Sequence, residues 1–387
     1  MIERIAIKRL VKLAKTFRSV AVVGPRQSGK TTLCKTVFPD KPYVSLENPD
    51  TLEFSITDPR GFLSMYREKG AILDEIQKAP HLFSYLQQIL DETKKKGLFI
   101  LTGSNHFLIH QNIAQTLSGR IAYLQLLPLS LEELKESNSF KSNYAFHIFH
   151  GGYPEVMAEK INPTDWYPNY ISTYIERDVR QLKNINNLGQ FTKLLRLCAG
   201  RTGQILNMTS LANDCGIDQK TVNSWLGILQ SSYIIYLLKP YYKNYNKRIT
   251  KTPKLYFYDT GVACSLLGIK SSDQIAIHAA KGPLFENLIL GELLKKRFNA
   301  GEKDELFYWR DKTGNEVDII SEYEGKLQAI ELKSGETINT DFFKGLQYFA
   351  SLGTDYLEKI LVYGGNQTQH RTNGIVIEPW NNFINKK

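Results

Sequence analysis

The chain is poor in cysteine: Cys34, Cys198, Cys215 and Cys264 are the four present among 387 residues, and no two form a CxxC pair. That spacing excludes a disulfide framework and a thiolate zinc cluster, and it points to a reduced, cytoplasmic setting. No apolar run approaches the roughly 18 residues that would cross a bilayer, so no membrane partner is expected. The opening MIERIAIKRLVKLAKTF mixes charge with apolar residues at helical spacing and lacks the apolar block of a signal peptide. Histidine offers no metal set, because His147 and His150 lie three apart beside Gly151 with no third ligand in view; both are read as structural. What remains is ordinary globular composition, 42% hydrophobic and 23% charged, which excludes disorder. At roughly 100–200 residues per domain, the length predicts two to four domains.

Acid is scarce in one part of the chain. Residues 191–270 hold 11 basic and 3 acidic residues, a net of +8 out of the whole chain's +10. Residues 1–128 carry +7, residues 129–190 carry −2, and residues 271–387 carry −3. Such local excess is the electrostatic footprint of a polyanion binder, or else a soluble basic surface.

Ser19–Val23 (SVAVV) is a short β-branched run suited to a buried parallel strand. It leads into Gly24-Pro25-Arg26-Gln27-Ser28-Gly29-Lys30-Thr31, which matches G-x-x-x-x-G-K-[ST] at every position. The glycines let backbone N–H groups wrap phosphate oxygens, with Gln27, Ser28 and Thr32 also in contact range. Lys30 would reach the β- and γ-phosphates, and the Thr31 hydroxyl would hold Mg²⁺. Residues 30–37 read as a helix whose N-terminus adds positive dipole there.

The apolar run Ala71-Ile72-Leu73 ends in Asp74-Glu75. Asp74 is placed to hold the metal and Glu75 to polarise attacking water. Leu98–Leu101 ends in a polar tip where Ser104 or Asn105 would position water or the γ-phosphate, and the sequence does not choose between them. Arg120, at a helix end, would serve as an arginine finger toward a neighbouring subunit, or simply as a helix C-terminal cation.

GPRQSGKT, ILDEIQKAP, ILTGSN and SGR, in that order, resemble AAA+ ATPases. More narrowly, the chain resembles the bacterial and archaeal AAA-type ATPases that carry a C-terminal domain of unknown function. GGYPEV, YIERDVRQL, RTGQILN, KTPKLYFYDTG and FEN extend that resemblance along the chain. It implies ATP and Mg²⁺ as cofactors, an α/β P-loop core with a helical lid, and a homo-oligomeric ring, a hexamer being favoured.

Residues 129–190 read as the lid, opening with a Ser130 cap and early carboxylates. Arg177 and Arg180 share one helical face, where one could contact the γ-phosphate or both could form surface ion pairs. Residues 191–270 have a helix-turn-helix rhythm, with residues 219–230 in the recognition position, and two strand-like runs complete a winged-helix pattern. Residues 239–258 hold six cations and no acid: Lys239, Lys243, Lys247, Arg248, Lys251 and Lys254. Five tyrosines in the same stretch offer rings to unpaired bases. The recognition helix carries only Lys220, which favours weakly sequence-specific DNA binding.

Residues 271–387 present Glu286 on a helix, Asp318 on one strand, and Glu331 and Lys333 on the next. Alternation along a strand places Glu331 and Lys333 on one face. This resembles the PD-(D/E)XK nuclease fold, with Val-Asp in place of Pro-Asp, and implies a second Mg²⁺ site. The expected division is therefore an ATPase core (1–128), a lid (129–190), a winged-helix module (191–270) and a nuclease-like α/β domain (271–387). The expected function is an ATP-driven DNA motor or remodeller acting in translocation, junction processing, repair or recombination. An ATP-gated nuclease and a nucleotide-switch scaffold binding protein partners are the alternatives.

Overall fold

The β-branched run after the first helix forms β1 (Ser19–Val23), and every one of its residues is buried. The computed structural model describes residues 2–104, 117–175, 187–242, 251–323, 326–353 and 357–384. They form two compact units, the first made of residues 1–129, 231–233 and 295–303, the second of residues 130–230, 234–294 and 304–387.

In the first unit β1 is joined by β2 (Tyr43–Ser45), β3 (Ala71–Asp74), β4 (Phe99–Gly103) and β5 (Ile121–Gln125). All pairs are parallel, in the order β2-β3-β4-β1-β5. A parallel sheet needs both faces covered, which is why its strands read as unbroken apolar runs. The amphipathic helix Ala6–Thr16 covers part of one face, packing Ala6, Leu10 and Leu13 with Val20, Val22, Ile72 and Ile100. Each of these Leu, Val and Ile side chains contributes about 1.5–3 kcal/mol by leaving water. The chain order matters for the site. β4 lies between β1 and β3, so the carboxyl ends of all three meet along one edge, where ligands of open α/β sheets bind.

The second unit begins with the expected cap. Ser130 Oγ accepts from Glu133 N at 3.2 Å, and Glu133 Oε2 accepts from Ser130 N at 2.8 Å, a capping box. Met208–Cys215 and Gln219–Ser231 are the helices read as a helix-turn-helix. Gly216 lies between them at φ 71°, and Asp218 caps the second helix through Thr221 N at 2.9 Å. Val222, Trp225, Leu226 and Leu229 form its buried face, with Trp225 edge-on to Phe191 of the helix Leu188–Gly200.

An antiparallel hairpin follows, β6 (Ile235–Pro240) and β7 (Lys254–Phe257). It does not stand apart. β6 pairs in parallel with β8 (Leu306–Arg310), and one eight-stranded sheet continues through β9 (Glu316–Tyr323), β10 (Lys326–Lys333), β11 (Leu357–Tyr363), β12 (Gln369–His370) and β13 (Ile375–Pro379). β7 and β8, on either side of residue 270, are strands of the same sheet. β9 and β10 form the expected hairpin, with Ile319 opposite Ile330.

That continuity corrects two expectations about the basic stretch. Tyr241, Tyr256 and Tyr258 are buried, so their rings are core and not a stacking platform; Tyr241, for example, packs against Phe307 and Phe349. Lys254, expected on DNA phosphates, is also buried, because the β7 face that carries Lys254 and Tyr256 turns inward.

Candidate functional site

The loop after β1 closes tightly. A side chain at Gly24 would strike the Leu126 carbonyl, and Gly29 sits at φ 91° where the helix Lys30–Val37 begins. The buried Ser28 Oγ has no hydrogen-bond partner among the described residues. Arg4, itself buried, donates to Ser28 O at 2.7 Å and Leu127 O at 2.6 Å, bracing the loop from behind. Lys30 is buried, and its Nζ donates to the carbonyls of Gly24 at 3.0 Å and Pro25 at 2.7 Å. Burial lowers the Lys30 pKa, while Glu75 and Asp74 act in the opposite direction.

Thr31 Oγ1 lies 3.1 Å from both carboxylate oxygens of Asp74. Tyr43 OH donates to Asp74 Oδ2 at 2.7 Å, and the Thr102 hydroxyl donates to Asp74 Oδ1. Proximity to Asp74 adds to burial in raising the Tyr43 hydroxyl's pKa to about 12. Glu75 follows in a left-handed conformation, φ 56°, which costs a non-glycine residue about 1–2 kcal/mol. Its carboxylate accepts from Gln77 Nε2 and, at 3.3 Å, from Ser104 Oγ. Burial raises its pKa, with Lys30 and Arg26 opposing.

A cradle of glycine, a buried orphan hydroxyl, an inward lysine and a Thr–Asp pair fit a nucleotide triphosphate and its Mg²⁺. Lys30 and Ser28 are placed for phosphate and Thr31 with Asp74 for metal, whereas Thr32 is exposed. Of the two tip residues, Ser104 contacts Glu75; Asn105 lies outside the described residues. Tyr43, Thr102 and Gln77 were not among the expected site residues.

Arg120 makes a two-pronged ion pair with Asp91 of its own chain, Nε to Oδ1 at 2.5 Å and Nη2 to Oδ2 at 2.9 Å. Its side chain remains partly exposed. Of the expected DNA-contacting cations, Lys220, Lys239 and Lys251 are exposed, while Lys243, Lys247 and Arg248 lie outside the described residues, as do Arg177 and Arg180.

The second unit brings Glu286, Asp318, Glu331 and Lys333 together, as expected. Asp318 Oδ2 accepts from Leu332 N at 2.8 Å, and Glu331 Oε1 accepts from Lys333 Nζ at 2.5 Å. Burial and the neighbouring Asp318 raise the pKa of both Glu286 and Glu331. Two further residues join them. Glu316 and Lys254 enter the cluster, and Lys254 Nζ lies against Glu316, 3.2 Å from Glu286 Oε1 and 3.8 Å from Asp318 Oδ1. Burial alone would lower the Lys254 pKa, but Glu286, Asp318 and Glu316 together raise it. Tyr256 OH also donates to Glu286. Asn287, next in the FEN segment, clamps β7 through Phe257 N and O, each at 2.7 Å. Strand alternation puts Lys254 and Tyr256 on one face of β7, and both of its faces are buried.

The GGYPEV and YDTG segments form a separate buried knot. Asp259 accepts from Gly152 N at 2.7 Å, Tyr167 OH at 2.9 Å and Gly261 N at 2.9 Å. With Val262 N at 3.3 Å as a further donor, the carboxylate is satisfied, which marks the knot as structural.

Residues 16–135 match the family model described as an AAA domain. Residues 141–273 and 281–383 match two models described as domains of unknown function, DUF8612 and DUF4143. An uncharacterised protein of Mycobacterium tuberculosis is 27% identical over 338 residues, covering 86% of this chain and 74% of that one. Another from Methanocaldococcus jannaschii is 24% identical over 329 residues, covering 77% and 71%. Among solved structures, a Walker-type ATPase of Pyrococcus abyssi aligns at TM-score 0.46 and 16% identity, covering 69% of this chain and 96% of that one. RuvB of Thermotoga maritima aligns at TM-score 0.33 and 16% identity, covering 61% and 89%. No helix among the described residues is long and apolar enough to cross a membrane.

Proposed function

We propose that this chain, an AAA-type P-loop ATPase domain joined to domains of unknown function, hydrolyses ATP and uses the cycle to act on DNA. The observation that carries the first half is Thr31 Oγ1 standing 3.1 Å from both oxygens of Asp74, beside the buried Lys30. The backbone from Gly24 to Gly29 holds the phosphates, and Lys30 exchanges its carbonyl partners for phosphate oxygens. Mg²⁺, when bound, neutralises charge on the β- and γ-phosphates. Thr31 and Asp74 would hold that ion. Glu75 accepts the proton of the attacking water, while Ser104 and Gln77 hold its carboxylate in place. Arg120, already ordered by Asp91, is the group offered to a neighbouring subunit's nucleotide in a homo-oligomeric ring, a hexamer by preference.

The DNA half rests on exposed Lys220 on the helix Gln219–Ser231 and exposed Lys239 and Lys251 in the stretch that follows, a segment almost free of acid. Contacts of this kind meet phosphates and carry little sequence preference. Translocation or junction processing fits such binding. The buried state of Tyr241, Tyr256 and Tyr258 favours a second reading, a nucleotide switch whose second unit binds protein. All four cysteines are buried free thiols, in keeping with a reduced, cytoplasmic setting.

The test is nucleotide binding and turnover in two variants. Lys30→Ala should lose charge-assisted hydrogen bonds of about 1.5–3 kcal/mol each and bind nucleotide on the order of 100-fold more weakly. Glu75→Gln should bind ATP normally and turn it over about 100-fold more slowly, or slower still. Unchanged turnover in Glu75→Gln would mean that another group activates the water.

A further inference from the structure

The nuclease-like cluster has the carboxylates of a metal site but not the room for the metal. Glu286 comes from the helix Lys281–Ala300, Asp318 from β9 and Glu331 from β10. Hard divalent cations of the Mg²⁺ class take oxygen ligands of this kind. Yet among the described residues no group of three or more His, Cys, Asp or Glu side chains is arranged to hold a metal ion. Lys254 stands among these carboxylates where a cation would sit. Its ammonium reaches Glu286, Glu316 and Asp318 at once, and its side chain is 3% exposed. Three carboxylates thus converge on one buried cation, whose charge already answers theirs.

Lys254 is held in place from two directions. It opens β7, whose backbone is clamped by Asn287 directly after Glu286. Tyr256, two residues on and therefore on the same face, donates to Glu286. Glu331 lies on the far side with Oε1 on Lys333, and its buried Oε2 has no partner among the described residues. The cluster thus retains one unsatisfied carboxylate oxygen that a cation ligand could engage if the centre were vacated.

We infer that Lys254 is the resident cation of this cluster, so that the native protein holds no divalent metal there and does not cut DNA from it, and that a neutral side chain at 254 would open a divalent-cation site formed by Glu286, Asp318 and Glu331. The inference does not depend on ATP hydrolysis by the first unit.

The experiment is Mn²⁺ binding to the full chain, followed by the paramagnetic signal of free Mn²⁺. Four proteins are compared: wild type, Asp318→Asn, Lys254→Met and the double variant. Any site at the phosphate loop is common to all four and cancels. Wild type and Asp318→Asn should bind Mn²⁺ identically. Lys254→Met should gain one site at least tenfold tighter than any in the wild type, and Asp318→Asn should remove it again in the double variant. Lys254→Arg, which keeps the charge, should gain none. Mg²⁺ or Mn²⁺ should support no nicking of supercoiled DNA by the wild type. Wild-type Mn²⁺ binding or nicking that Asp318→Asn abolishes would overturn the inference, and so would a folded Lys254→Met that gains no site. Should Lys254→Met fail to fold, the wild-type and Asp318→Asn pair still decides whether the native cluster takes metal.

Discussion

Lys30 and Lys254 are both buried lysines next to carboxylates, yet the two units use them in opposite ways. Lys30 rests on the neutral carbonyls of Gly24 and Pro25, with Asp74 and Glu75 nearby but not bonded to it. Lys254 rests on Glu286, Glu316 and Asp318. A cation on neutral partners is available to an incoming anion. A cation on three anions is already neutralised, and removing it leaves charge stranded out of water. The same two residue types therefore leave one lysine without a carboxylate bond and tie the other to three carboxylates.

Replacing each lysine separates the cases, and this is the largest effect expected. Lys254→Met strands buried carboxylates and should cost about 3–5 kcal/mol of stability, measured by urea unfolding. Lys30→Met should change stability by less than about 1 kcal/mol, because the carbonyls it leaves are loop groups. Equal losses would erase the distinction.

A second prediction concerns pH. Burial raises the Glu75 pKa, so the carboxylate protonates at a higher pH than an ordinary glutamate. The base must be ionised to accept a proton, so turnover should fall on the acid side, with the midpoint above the usual glutamate value of about 4.3. Removing a hydrogen-bond donor from its carboxylate tests the same group. Gln77→Ala removes a hydrogen bond that lowers the Glu75 pKa, so the acid limb should move further up. A limb that stays put in Gln77→Ala would remove Glu75 as its source.

The smallest effect lies on the basic surface. If Lys239 and Lys251 each neutralise one phosphate, the double alanine variant should reduce the slope of log affinity against log salt by about 1.8. Lys220→Ala should act in the same direction by about 0.9. A fluorescence anisotropy titration at several salt concentrations reads both.

The phosphate loop was legible because its chemistry is contiguous: eight residues carry glycine, lysine and threonine at fixed spacing. Asp74-Glu75, the Ser130 cap and the Gly216 turn were legible for the same reason, each being a local pattern. What escaped depends on which strand neighbours which. Tyr43 and Thr102 reach Asp74 only because β2, β3 and β4 are adjacent in the sheet. Lys254 was misread because it closes a run of cations, while β7, which it opens, is buried on both faces. The tyrosines went wrong with it, since β6 joins β8 and draws Tyr241 into the core beside Phe307. The GGYPEV and YDTG segments carried only the resemblance in the sequence, and Asp259 binds them to each other.

The most direct measurement is steady-state ATP turnover by the full chain at low ionic strength, with and without forked, four-way and linear DNA, strand integrity being followed on a gel. The account predicts turnover that rises with at least one DNA, disappears in Glu75→Gln, and leaves every strand uncut. One constant rate with every DNA, and no DNA binding at low salt, would contradict it.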